Sequence, residues 1–110
     1  MINSICLVVS KPLGVEVGTL GVRTAWATHE KGFEAKLVYV EEGVWNLTNN
    51  PGYHNSLLSD LIEADGEVFT VREHLEKRGI SEDDLLDGVE VISAEEVAEL
   101  CEDVETVNYF

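Results

Sequence analysis

Cysteine is scarce in this 110-residue chain. Cys6 and Cys101 are the two present, at opposite ends of the sequence, which excludes a disulfide framework and any Cys-x-x-Cys pair for zinc or redox chemistry. Basic residues are also few: 7 Lys plus Arg face 22 Asp plus Glu, for a formal net charge of -15. No basic stripe can neutralise a phosphate backbone, so direct nucleic-acid binding is not expected. Long apolar runs are missing as well. Nothing approaches the roughly 18 to 20 residues that cross a bilayer, and no basic region precedes the short apolar stretch Ile5 to Val9. These absences lead to the expectation of a cytoplasmic protein without membrane contact. What is present is ordinary globular material: 45% hydrophobic residues, enough for a single domain over residues 1–110 that buries roughly two-thirds of its unfolded surface.

The acids are unevenly spread. Residues 1–71 carry 9 acids against 4 Lys plus Arg, whereas residues 72–110 carry 13 against 3. Acid-rich helices usually present such residues to water, so a solvated face is the default, and attraction of a basic partner is the functional alternative.

Ser4 to Val9 is a continuous apolar run too short for a helix and reads as a strand buried on both faces, ending at the turn Ser10-Lys11-Pro12-Leu13-Gly14. Glu16 to Lys31 places Val17, Leu20, Ala25 and Trp26 at helical spacing and stops at Gly32. Leu37 to Val40 is strand material closed by Glu41-Glu42-Gly43, completing a βαβ unit with a right-handed connection. A short helical turn at Val44 to Leu47 and a loop at Asn49 to Gly52 follow, then a helix capped by Asn55 or Ser56 and running through Ala64. Glu67 to Val71 is a third strand and Arg72 to Arg78 a helix. Val89 to Ile92 is a fourth strand. Ser93-Ala94-Glu95-Glu96 is a capping box opening a helix to about Cys101, and Val104 to Tyr109 is a fifth strand. The pattern implies a three-layer α/β/α sandwich with a mainly parallel five-stranded sheet, flavodoxin-like in general form.

In such sheets ligands gather beyond the carboxyl ends of the strands. That rule nominates a strand-end pocket of Ser10, Lys11, Gly14, Glu41, Gly43, Arg72 and His74. Gly14, Gly18 and Gly21 match neither the dinucleotide fingerprint nor the phosphate loop, so they serve a tight turn and close packing, although an anion at the following helix start is compatible with the pattern. His29, His54 and His74 are scattered, with no i, i+4 pair, and no metal site is expected. Cys6 reads as core. Cys101 sits among Glu99, Glu102 and Asp103, which disfavour a reactive thiolate, so both are weak thiol candidates. Trp45 and Tyr53 flank the loop and are candidate interface residues.

The order of Ser4 to Gly14, Leu37 to Val40, Glu42-Gly43-Val44-Trp45, Leu75 to Ile80, Leu86 to Glu90 and Val107 to Phe110 resembles the DsrE/DsrF family of sulfur-relay proteins, nearest its TusC/DsrF-like subunits. The resemblance implies a small α/β subunit of trimers or hexamers, homo- or hetero-oligomeric. Its partners would be homologous DsrE-type subunits and a basic sulfur-carrier protein, serving tRNA thiolation or sulfur oxidation and reduction. It also implies a sulfur-carrying cysteine near the end of the third strand. Here that stretch is Phe69-Thr70-Val71-Arg72-Glu73-His74, without cysteine. No catalytic residue and no cofactor are therefore expected, and the chain reads as a non-catalytic accessory subunit. The alternative is a small-molecule, anion or nucleotide-binding protein using the strand-end crevice.

Overall fold

The N-terminal apolar run forms strand β1 (Ser4–Val9), whose side chains alternate between two buried faces. In the computed structural model, residues 4–11, 16–32, 34–48, 53–64, 66–104 and 106–109 are described. After β1 come α1 (Glu16–Glu30), β2 (Glu34–Tyr39), a 3₁₀ helix at Glu41–Leu47, and α2 (Tyr53–Glu63). The chain continues through β3 (Glu67–Val71), α3 (Arg72–Lys77), a 3₁₀ turn at Glu82–Asp84, β4 (Glu90–Ile92), α4 (Ala94–Asp103) and β5 (Thr106–Tyr109).

The sheet has five strands in the order β4-β3-β2-β1-β5, and every pairing is parallel. β1 through β4 step in one direction across the sheet, and the last connection carries the chain back past them to place β5 beside β1. Parallel crossovers keep one hand, so reversing direction moves the connecting helix to the other face. The packing shows this division. Val22 and Ala25 of α1, Leu58 and Leu61 of α2 and Leu75 of α3 share a core with Leu7, Val9, Leu37, Tyr39 and Val68. Val97, Leu100 and Cys101 of α4 instead cover Cys6, Val8, Val38, Phe69 and Ile92 on the opposite face. The three-layer architecture expected from the sequence is the one observed.

Local sequence accounts for most element ends. Gly32, at φ +83, follows α1 and donates its N–H to the His29 carbonyl at 3.0 Å, the helix stop read from Lys31-Gly32. Ser93 caps α4 through a reciprocal capping box with Glu96. On α4 the acids Glu95, Glu96, Glu99, Glu102 and Asp103 are exposed, while Val97, Leu100 and Cys101 turn inward, so this acidic stretch is a solvated helix face.

Several boundaries differ from the sequence reading. The 3₁₀ helix begins at Glu41 rather than Val44, because the chain turns back immediately after β2. α2 begins at Tyr53, so Asn55 and Ser56 lie inside the helix; burial of Leu58 and Leu61 outweighs their local preference for a cap. β4 begins at Glu90 rather than Val89, and Val89 packs against the core without ladder pairing. β5 begins at Thr106, because Val104 ends α4 and is spent packing beneath it. The turn residues Pro12 to Gly14 and the loop Asn49 to Gly52 lie outside the described residues. Among the described residues no helix is long and apolar enough to cross a membrane.

Candidate functional site

The carboxyl ends of β1, β2 and β3 meet on one edge of the sheet, and short-range bonds tie them together there. After β2 the chain turns at Glu41, a non-glycine residue at φ 50, and folds back across the end of β1 as the 3₁₀ helix. Gly43 makes this possible. A Cβ at Gly43 would stand 2.2 Å from the Val9 carbonyl oxygen and 3.0 Å from its carbon, so no other residue type allows the same approach. Asn46, 1% exposed, fastens the segment by donating from Nδ2 to the carbonyls of Lys11 at 2.8 Å and Gly43 at 3.0 Å.

β3 and α3 supply the other half of the edge. His74 lies in the first turns of α3, and its Nδ1 accepts the Glu41 backbone N–H at 2.9 Å. In accepting this bond, Nδ1 presents its lone pair to the turn and leaves Nε2 on the far side of the ring. Arg78, one turn on, brings Nε and Nη2 to Glu42 Oε1 at 2.9 and 2.8 Å and donates from Nη1 to the His74 carbonyl at 3.1 Å. Glu73 accepts the Ala94 N–H at 2.8 Å, placing a carboxylate at the positive end of α4. Beneath them the buried Thr70 hydroxyl donates to the Tyr39 carbonyl at 3.1 Å and cross-links β3 to β2.

The sequence-nominated residues are therefore gathered in part. Glu41 and His74 touch, Gly43 presses on the end of β1 just before Ser10, and the Lys11 backbone is held by Asn46. Arg72 and Lys11 have exposed side chains at the same edge, and Ser10 is half-buried. Gly14 and the side chain of Tyr53 lie outside the description. Asn46, Thr70, Glu73 and Arg78 were not singled out by sequence. A polar residue inside the apolar run Val44 to Leu47 was the available signal for Asn46, and Thr70 inside Val68 to Val71 was its counterpart. Trp45 is 38% exposed on the 3₁₀ helix, the exposure an interface residue requires.

Two cavities lined by described residues lie away from this edge. One, of about 560 Å³, is lined by residues of α2 (Ser59, Ile62 and Glu63) and of the segment from Asp83 to Gly88. The other, of about 410 Å³, lies along the outer side of α1 by Arg23, Thr28 and Lys31. His29 serves packing: its Nε2 bonds the Ala64 carbonyl at 2.6 Å and its ring stacks on Trp26. Among the described residues no three His, Cys, Asp or Glu converge as a metal set.

The two cysteines, distant in sequence, are neighbours in space. Cys6 is fully buried on β1, and Cys101 packs against its cluster from α4. The Cys6 thiol is pushed up to about 12, first by burial, then by the adjoining Cys101, with Lys36 opposing. α4 runs against the strands, so Cys101 near its end lies toward the edge opposite Glu41 and His74.

The DsrE/DsrF-like family model matches residues 3–109. The chain belongs to the DsrE/DsrF-like family. Members of this family are generally associated with sulfur relay. A relative in Methanopyrus kandleri, the uncharacterized protein MK0008, is 29% identical over 99% of this chain and 95% of its own length. Two solved structures share the fold over nearly their whole lengths. The YchN protein from E. coli superposes with a TM-score of 0.84 at 24% identity, covering 100% of both chains. MTH1491 from Methanobacterium thermoautotrophicum, described as a protein of unknown function, gives 0.77 at 19% identity over 98% of this chain and 99% of its own. The strand-end edge of this chain carries His74, Arg72 and Glu73, while both thiols lie on the α4 face.

Proposed function

We propose that this protein is an accessory, non-catalytic subunit of the TusC/DsrF type in an intracellular sulfur-relay assembly, one that shapes the complex while a cysteine-bearing DsrE-type subunit carries the sulfur. One observation carries this reading: the turn from β3 into α3, Thr70 to His74, is fully built and hydrogen-bonded yet holds no cysteine. A thiol at that helix start would gain thiolate character from the helix end. The position is instead committed to structure, through His74 to Glu41 and Glu73 to Ala94. The exposed Trp45 beside this edge supports contact with a second subunit.

Native mass spectrometry of the protein tests this, alone, with a cysteine-bearing family member, and after exposure to a persulfide donor. A trimer or hexamer without added sulfur is the expected result. A monomer that ignores every family partner refutes it. A second reading, capture of a small anion, draws on the exposed Lys11 and Arg72 at one edge of so acidic a chain. A thermal shift with phosphate, sulfate or nucleotides favours that reading, and a flat response across the panel removes it.

A further inference from the structure

The α4 face of the sheet holds a group of residues that the strand-end edge does not use. Cys6 is 0% exposed, at the centre of an apolar cluster of Val8, Val38, Phe69 and Ile92. Cys101 packs against the same cluster and keeps partial access to solvent. Both thiols are free. Lys36 is the residue directly across from Cys6 in the β1–β2 pairing, and its side chain is 13% exposed with Glu34 at 3.5 Å as its counter-ion. A buried thiol, a reachable thiol and a largely buried lysine side chain thus come together under one helix.

We propose that Cys6 and Cys101 form an oxidisable dithiol, a covalent modification site at which exchange with a low-molecular-weight disulfide closes a Cys6–Cys101 bond beneath α4. The order of events follows from access. The oxidant, written RSSR, can meet only Cys101: the Cys101 thiol loses its proton, its sulfur attacks RSSR, and one RSH leaves, giving the mixed disulfide Cys101–S–S–R. Cys6 then loses its proton, attacks the Cys101 sulfur and expels the second RSH. Two thiols have been oxidised by two electrons and one disulfide reduced to two thiols. Burial slows the second step by disfavouring the Cys6 thiolate, and the Lys36 ammonium favours it, so closure accelerates as pH rises. Among the described residues, the further charges on this side are Glu34, paired with Lys36, Glu67, directly across from Lys36 in the β2–β3 pairing, and the acids Glu102 and Asp103 beside Cys101. The bond would fasten α4, the helix that leads into edge strand β5, directly to the interior strand β1. This inference goes beyond the subunit role and stands independently of it.

The test is to incubate the folded, reduced protein with oxidised glutathione at mildly alkaline pH, quench with acid, alkylate remaining thiols after denaturation, and map the products by mass. The wild type is expected to lose both alkylatable thiols and two hydrogens without retaining glutathione. Cys6→Ser is expected to stop with one glutathione on Cys101, and Cys101→Ser to remain unmodified while folded. Lys36→Met is expected to take glutathione at the wild-type rate but to close several-fold more slowly, the wild-type rate returning at higher pH. Wild-type protein that stays glutathionylated on Cys101 with Cys6 free, or that forms a disulfide between two chains, overturns the proposal. That result rests on the wild type alone, so it holds even where a variant folds poorly.

Discussion

Gly43→Ala isolates the contact on which the strand-end edge is built. The new Cβ would meet three backbone atoms of β1: the Val9 oxygen at 2.2 Å, the Val9 carbon at 3.0 Å and the Ser10 Cα at 3.3 Å. None can rotate away, and Val9 is held in register with Tyr39 of β2. Relief requires the 3₁₀ helix to lift by about 1 Å, since carbon contacts are comfortable only near 3.5 Å. Lifting stretches the Gly43 N–H bond to the Val40 carbonyl, 2.8 Å, and the Asn46 bond to the Lys11 carbonyl, 2.8 Å. Overpacking of this kind costs about 1 to 3 kcal/mol, and each weakened bond adds about 1 kcal/mol. The stiffer unfolded chain returns about 0.5 kcal/mol, leaving a net loss of about 3 kcal/mol. For a domain of this size that lowers Tm by roughly 10 to 15 °C. Gly32→Ala is the control: Gly32 has nothing within 4 Å of its added Cβ but sits at φ +83, so only the left-handed backbone cost of about 1 kcal/mol applies. Thermal unfolding followed by circular dichroism compares the two. A Gly43→Ala midpoint as high as that of Gly32→Ala would refute the close-approach reasoning.

Other outcomes follow from single bonds. His74→Ala removes the acceptor of the Glu41 N–H and should cost about 1 kcal/mol in urea unfolding; an unchanged midpoint would show that the bond contributes nothing. Thr70→Val keeps the shape but leaves the Tyr39 carbonyl without its hydroxyl donor, for a loss of about 1 kcal/mol. Arg78→Ala should cost at most about 1 kcal/mol for its exposed Glu42 pair, and the loss should shrink in high salt. The Cys6 thiol gives a pH signature. Below pH 9 it is protonated whether the chain is folded or not; between pH 9 and about 12 the unfolded chain releases the proton and the folded chain keeps it, so stability falls as pH rises. Buried Tyr39, raised in the same direction, acts alike in wild type and variant. The stability difference between wild type and Cys6→Ala should therefore be flat below pH 9 and decline above it, and a flat difference throughout would contradict the burial of the thiol.

The elements themselves were legible because each reports a local balance. Ser4 to Val9 is too apolar and too short for anything but a doubly buried strand, Lys31-Gly32 stops a helix, and Ser93 to Glu96 begins one; all three are as read. The strand-end rule likewise placed Glu41, Gly43 and His74 on one edge, since parallel strands all deliver their carboxyl ends to the same side. Element starts were less legible where packing competes with propensity, as at Tyr53 and Val104. Sequence alone thus determined the fold class, the parallel layering and the edge where function should sit, because period-2 and period-3.6 patterns are written residue by residue. Tertiary structure alone decided which strands are neighbours, and with it that Cys6 and Cys101 meet under α4, that His74 holds Glu41, and that Gly43 must be glycine. Those contacts join residues far apart in the chain, and no local pattern encodes a distance between them.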